Sequence, residues 1–434
     1  MKKDRILFLF YGMFCYEINR ILPLFNIPLF ILTFISLLGA SLFIGTLLFI
    51  KKRPRIDKTT YILILLFLLW QIVIYIQGWP MGNYYVDSLG EMQTDLYLQI
   101  RAHLMDSHYL LPFLFPFICL FDYDLKIILK ISRLYQLITL ISLLFFVYYF
   151  GEIFSVSHLN YTDIFSKGSF VTIRSLVNTI FIAPVMLFMM ISYNLKYKFI
   201  KGSVFFTRIL PVVLLVFYVL AQIRGGGRGG TLTSVYYLII ICLVYLLTKS
   251  KKTKIIFFLL IALMLYGIIV FSYQLGLFDL LMKRFSDGDV TNVSDNNRTI
   301  LLFNYIKDFN RTPIDWIMGR GINATYYNPG TSLPVHRNTI EYGFLFYILR
   351  GGIINLLLYI SILVTVSYKS FYKSSNSFCK ISSFFLVWQI PYLFIFGVPT
   401  IGLGSLFLWL VISLVSNDKI RKLSDAEVMK LLIG

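Results

Sequence analysis

The sequence predicts an all-α fold: a polytopic bundle of about twelve transmembrane helices forming one integral domain over residues 1–434, with both termini cytoplasmic and one long outer loop. Three observations predict it. The chain is 58% hydrophobic and 18% aromatic, well above the roughly 45–50% apolar content of soluble domains. Its apolar runs are long and are bounded by charges or turn residues. Its excess of basic over acidic residues is confined to alternate connections between those runs. No polar stretch is long enough to build a separate soluble core, and no internal repeat is apparent.

The runs fall near 6–22, 28–50, 60–77, 109–122, 133–150, 176–194, 208–223, 231–248, 254–274, 342–367, 381–398 and 401–416. Most approach the roughly 20 residues needed to cross hydrocarbon. The first carries Glu17 and Arg20, and the fourth, HYLLPFLFPFICLFD, is short and holds two prolines. The opening MKKDR is followed by no small-residue cleavage site, so the first run reads as an uncleaved span.

Charge sets the orientation. With the N-terminus inside, the inner segments from MKKDR and KKRPRIDK to the tail NDKIRKLSDAEVMK hold 26 Lys or Arg and 7 Asp or Glu, against 14 and 14 outside. The whole net charge of +19 therefore lies on one side, as the positive-inside rule requires. The basicity reports topology and calls for no nucleic acid. His103, His108, His158 and His336 all fall outside, as does the long loop 275–341. Cys15, Cys119, Cys242 and Cys379 are scattered singly, which indicates buried apolar side chains rather than a disulfide framework or a metal site.

Between the seventh and eighth runs lies QIRGGGRGGTLTS, residues 222–234. Both flanking runs are short of a full crossing, so the glycine turn is expected to dip below the outer surface. Non-helical backbone at that depth must be buried in protein or line a wet cavity. The guanidinium groups of Arg224 and Arg228, with the open backbone at Gly227, suit the oxygens of a lipid-linked phosphate or diphosphate. A small-residue helix contact with two snorkelling arginines is the plainer alternative. The G-x-G-x-x-G spacing at Gly225, Gly227 and Gly230 is no nucleotide fingerprint, because both flanks are transmembrane.

In the long loop, NNRTILLFNYIKDFN (296–310) places Leu302, Tyr305, Ile306 and Phe309 on one helical face, predicting an amphipathic helix on the membrane with Arg298 near its start. IMGRGINATYYNPGTSLPVHRNTIEYGFLFYILRGGIINLLLYI follows, with turns marked by Gly319, Gly321 and Gly330 and with His336 just ahead of a span. The order of arginine helix, GRGIN, HRNTIEYG and RGGIINLLLYI resembles the carboxyl half of the bacterial O-antigen polymerase and O-antigen ligase superfamily, and IRGGGRGG resembles the arginine-glycine stretch of its earlier outer loop. The resemblance covers about 221–365. Arg337, which separates His336 from Asn338, is a departure from the family's His-Asn order.

The resemblance implies transfer of a glycan from undecaprenyl diphosphate to an acceptor hydroxyl at the outer face of the bacterial inner membrane, without metal or other cofactor. The implied product is a polymer of repeat units, and the implied partners are the lipid-linked oligosaccharide, the bilayer and a chain-length regulator. The residues fit this chemistry on their own terms. Diphosphate is a good leaving group, so the reaction asks chiefly for cations to stabilise its growing charge and a base for the hydroxyl proton. Arg298 with His336 would be catalytic, His336 as the base. Arg224, Arg228 and Arg320 would hold the diphosphate, with Gly227 and Asn338 beside them.

Other readings stay open. A ligase of the same superfamily differs only in acceptor. A lipid-linked oligosaccharide flippase, a carrier rather than an enzyme, would show charges spread through many spans. Asp87, Glu91 and Asp95 in VDSLGEMQTD would share one face of a helix, read as a solvated face rather than a metal site. Glu341 is an alternative base to His336.

Overall fold

The computed structural model describes residues 6–21, 27–49, 55–78, 85–86, 92–93, 114–121, 125–128, 130–132, 134–141, 213, 235–236, 239–240, 293–329, 336–338, 340, 342–395 and 402–433. These are mostly helical. The helices are α1 (Leu7–Ile21), α2 (Leu29–Phe49), α3 (Lys58–Gly78), α4 (Val293–Phe309), α5 (Ile314–Met318), α6 (Gly343–Tyr372), α7 (Ser377–Ile395), α8 (Leu403–Ser416), α9 (Asp418–Lys422) and α10 (Asp425–Ile433). Two short antiparallel ladders accompany them: β1 (Tyr85–Val86) with β2 (Met92–Gln93), and β3 (Tyr326–Tyr327) with β4 (His336–Arg337).

Among the described residues, three segments are long and apolar enough to cross a membrane: Phe30–Leu48 in α2, Lys58–Gly78 and Gly343–Tyr372. The apolar α1 and α8 are shorter. The fourth apolar run departs from an α-helix. At Phe115–Leu120, with Pro116 removing a backbone donor, the chain takes a six-residue 3-10 turn. Tyr85 pairs with Gln93 and Val86 with Met92, antiparallel; the shared helix face was expected of Asp87, Glu91 and Asp95. Those three residues lie outside the described set.

Helices surrounded by lipid gain little from hiding apolar surface against one another, so close packing and buried hydrogen bonds must hold them. Both are present. α1 and α2 meet glycine on glycine, a Cβ at Gly12 falling 2.7 Å from the Gly39 carbonyl oxygen. α3, α6 and α8 share an aromatic core in which Phe67 lies 6.2 Å from Tyr359 and 5.6 Å from Trp409, ring centre to ring centre. Within that core the Gln71 amide donates to the Asn355 carbonyl oxygen at 2.8 Å, and both side chains are buried.

One end of the bundle is tied by charge. Asp57 caps α3, accepting from the Thr60 N–H at 3.2 Å and the Thr60 hydroxyl at 2.9 Å. It also pairs with Lys369, in the last turn of α6, and with Arg421 of α9 at 3.3 Å. Beside it the Asn376 amide donates to the Ile420 carbonyl at 2.7 Å, and the Ser377 N–H donates to Asp425 at 2.6 Å. The segments KKRPRIDK, YKSFYKSSNSFCK and the tail, assigned on charge alone to one side, thus meet at one end.

From this end α3 and α6 run antiparallel in step. Gln71 stands 14 residues after Asp57 and Asn355 stands 14 before Lys369, about 21 Å of helix rise in each case. At the far end, past these residues, α6 breaks. Gly351 (φ −132°, ψ 18°) and Gly352 (φ 67°, ψ −174°) leave helical geometry.

Burial alone would raise the Asp57 carboxyl, but hydrogen bonds from Lys369 and Thr60 and the charge of Lys369 hold it below its ordinary value. Asp57→Asn is expected to lower stability at neutral pH by about 2–3 kcal/mol, since half-buried Lys369 loses its carboxylate and buried Arg421 is left with Asp418 alone. A depressed folded pKa contributes stability fully above the unfolded value of about 3.9, and that stability is lost as pH falls through the folded value. Thermal unfolding in detergent should therefore separate variant from wild type above about pH 4, with the gap closing only below it.

Candidate functional site at the glycine end of the bundle

A helix broken inside a bilayer strands carbonyls that lipid cannot satisfy. At the break in α6 the partners come from the outer loop. The turn GRGIN after α5 inserts between α3 and α6. The Arg320 N–H donates to the Leu349 carbonyl and the Gly321 N–H to the Arg350 carbonyl, each at 2.9 Å, and the Ile322 N–H donates to the Ile74 carbonyl at 3.1 Å. The Trp70 indole donates to the Gly351 carbonyl, and the Gln77 amide to the Gly319 carbonyl, both at 2.8 Å. The Asn323 amide donates to the Gly78 carbonyl at 3.2 Å.

Only glycine permits this approach. Gly319 and Gly321 have φ of 75° and 83°, a region costly for other residues. A Cβ on Gly321 would fall 2.4 Å from the Gly78 nitrogen, and one on Gly352 would fall 1.9 Å from the Ile317 carbonyl oxygen. Ile74 stands 17 residues from Asp57, and Gly352 stands 17 from Lys369. Both are therefore about 25 Å along the helices from the charged end, against a hydrocarbon thickness of about 30 Å.

Above the turn, α4 and α5 close on Arg320. Its Nε donates to Asp315 at 2.6 Å, and one terminal nitrogen donates to Asp308 at 2.5 Å and to the Thr325 carbonyl at 2.8 Å. The guanidinium carbon lies 4.4 Å from the centre of the Phe309 ring. Tyr305 stacks on Phe309 at 4.3 Å, and its hydroxyl donates to the Leu345 carbonyl of α6 at 3.3 Å. The buried stripe of α4 is Leu301, Tyr305 and Phe309. It is turned by about 50°, half of one residue's step, from the stripe read on the sequence, so Ile306 stays exposed.

β3 then runs back along α4. The Tyr327 N–H donates to Asp308 at 3.1 Å, and the Asn304 amide donates to Asn328 at 2.9 Å and to the Pro329 carbonyl at 3.1 Å. Register places His336 opposite Tyr327 and Arg337 opposite Tyr326. His336 and Asn338 are half-buried. The His336 ring lies 5.7 Å from Tyr327, and the Arg311 guanidinium carbon lies 5.9 Å from the centre of the same Tyr327 ring.

Of the residues expected to act, His336, Asn338 and Arg320 are thus brought onto one packed unit at one end of the bundle. Arg320, read from sequence as a diphosphate ligand, has its guanidinium committed to Asp308 and Asp315, and a diphosphate would have to displace a carboxylate to reach it. Arg298 lies in α4, six residues beyond Asn304 and about 9 Å of rise in the direction β3 takes. Its side chain, like Arg224, Gly227, Arg228 and Glu341, lies outside the described residues. Among the described residues no three His, Cys, Asp or Glu gather as a metal site.

Two cations were given no role on sequence. Arg350 is buried at the break, its guanidinium carbon 4.4 Å from the centre of the Phe346 ring. An arginine ahead of a glycine pair inside an apolar run is the signal that would have found it. Arg337 has one terminal nitrogen buried with no hydrogen-bond partner among the described residues. A buried cationic donor left unmatched is costly in the absence of an anion, and its place in HRN carried no such signal.

Gly321→Ala is expected to destabilise the protein by on the order of 3 kcal/mol, because positive φ and backbone overlap act together. Gly45→Ala, with nothing within 4 Å of the new methyl, should be neutral or gain up to about 1 kcal/mol. Arg320→Ala should cost on the order of 3 kcal/mol by stranding two carboxylates. Thermal unfolding of the three purified variants in one detergent checks the ranking.

Comparison with protein-family models, with curated proteins and with solved structures finds no match to this chain.

Proposed function

We propose that this chain is a polymerase of lipid-linked oligosaccharide repeat units for a bacterial surface polysaccharide. It crosses the inner membrane about twelve times with both termini cytoplasmic, and its glycine end faces outward. The observation that carries the reading is the joining of GRGIN, the described part of HRNTIEYG and RGGIINLLLYI, all within residues 319–360, into one unit about 25 Å from the charged end. That is near the outer edge of a hydrocarbon layer of about 30 Å, just beneath the surface that holds a lipid diphosphate.

In the reaction, the hydroxyl oxygen of the acceptor sugar attacks the anomeric carbon of the donor glycan. The bond from that carbon to the diphosphate oxygen breaks, and its electron pair leaves with undecaprenyl diphosphate. His336 takes the hydroxyl proton as the general base. Arg224, Arg228 and Arg298 stabilise the charge that grows on the diphosphate. The Arg337 donor, which has no partner among the described residues, supports an anion at this end. Arg320 acts as a positioning residue, fixing the turn through Asp308 and Asp315. The growing chain on its lipid is the donor, and a fresh lipid-linked unit is the acceptor.

A deletion strain should display surface glycan of single repeats. Long chains accumulating on the carrier lipid would mark a ligase instead, and loss of outward-facing lipid-linked units would mark a flippase. His336→Ala and Arg228→Ala, in protein that still inserts, should abolish elongation. A loss of about 10²–10⁴-fold is expected for His336, and unchanged ladders from both variants would overturn the assignment.

A further inference from the structure

α4 and α5 present a second apolar surface, opposite the one that packs on the bundle. On α4, Ile300, Phe303 and Ile306 are exposed, Phe303 to 65%. On α5, Ile314 is exposed to 57% and Ile317 to 48%. Side chains of this size side by side on an exposed face need a partner.

Height identifies it. The Ile317 carbonyl oxygen lies against Gly352, about 25 Å along α6 from Lys369 and so within a hydrocarbon layer of about 30 Å counted from the charged end. The next residue of α6, Ile353, is exposed, as is Leu357 one turn on, so the α5 surface continues the lipid-facing side of a candidate span. α4 sits above it, held to the first turn of α6 by Tyr305. Exposed Lys307 stands on the same face one turn after Phe303, and exposed Arg311 stands between the two helices, each long enough to carry its charge from an immersed backbone to the lipid phosphates.

We propose that α4 and α5 are immersed in the outer leaflet, with Ile314, Ile317 and Phe303 against acyl chains and Lys307 and Arg311 among the lipid phosphates. The outer loop is then a wall of the membrane rather than a lid in water. Tyr327, between Arg311 and His336, borders the bilayer, and a lipid-borne headgroup reaches His336 sideways. The inference rests on the span reading and the helix geometry and is independent of the polymerase reading.

The test uses the full chain in phosphatidylcholine–phosphatidylglycerol vesicles. Nitroxide labels are placed singly on F303C and I317C in a background without Cys15, Cys119, Cys242 and Cys379. Collision rates with oxygen and with a water-soluble nickel chelate are then measured. The ratio should favour oxygen at both positions, as at L357C. A ratio favouring the chelate at 303 and 317 would overturn the proposal, and so would shielding from both reagents, which marks a covering protein segment or a second copy. If the cysteine-free background does not fold, p-benzoylphenylalanine in place of Phe303 in the native background gives the same answer. Adducts to lipid support the proposal, and adducts only to protein, or none, overturn it.

Discussion

The break in α6 at Gly351–Gly352 is the constraint on which the described structure depends. A transmembrane helix that stops and restarts about 25 Å into a bilayer leaves carbonyls that neither lipid nor the helix can satisfy. Leu349, Arg350 and Gly351 supply those carbonyls, and the N–H groups of Arg320 and Gly321 with the Trp70 indole answer them. Each part then enforces the next. The turn reaches the break only with glycine at 319 and 321, and the Arg320 side chain, bound to Asp308 and Asp315, fixes α4 and α5 over it. β3 is tied to α4 through Asp308 and Asn304, and β3 sets the register that presents His336 and Arg337.

Opposite charge organises the other end. Asp57 joins the start of α3, the end of α6 and α9. With α3 and α6 clamped there, and with Gln71 meeting Asn355 after equal lengths of helix, the heights of everything at the glycine end follow from helix rise alone. The site proposed for a lipid diphosphate would use this fixed height, because such a substrate is held at the membrane surface.

Much of the helical frame was legible in the sequence. The bounds of α2, α3 and α6 follow from apolar run length against bilayer thickness, and α7 and α8 also fall within a few residues of their runs. Glycine marked the turns at 319 and 321. What was not legible was which turns meet: GRGIN and RGG each read as local punctuation, and only the fold shows that one caps the other. The face of α4 was misjudged because both of its sides are apolar. Periodicity alone does not separate a stripe against protein from one left outside, so Leu301 went in and Ile306 stayed out. The fourth run read as a helix on hydropathy, but Pro116 and its neighbours form a 3-10 turn instead. The partners of Arg320 were within reach, since Asp308 and Asp315 lie 12 and 5 residues away. Arg224, Gly227 and Arg228 stand outside the described residues, and their convergence on His336 belongs to the proposal.

The capping of the α6 break is tested most directly by amide hydrogen exchange over 319–323 in the full chain held in lipid nanodiscs, read by mass spectrometry. Amides donated to Leu349, Arg350 and Ile74 inside the bundle should exchange as slowly as those of the neighbouring helix α3. Exchange over 319–323 at the rate of an open surface loop, with α3 still protected, would contradict the account.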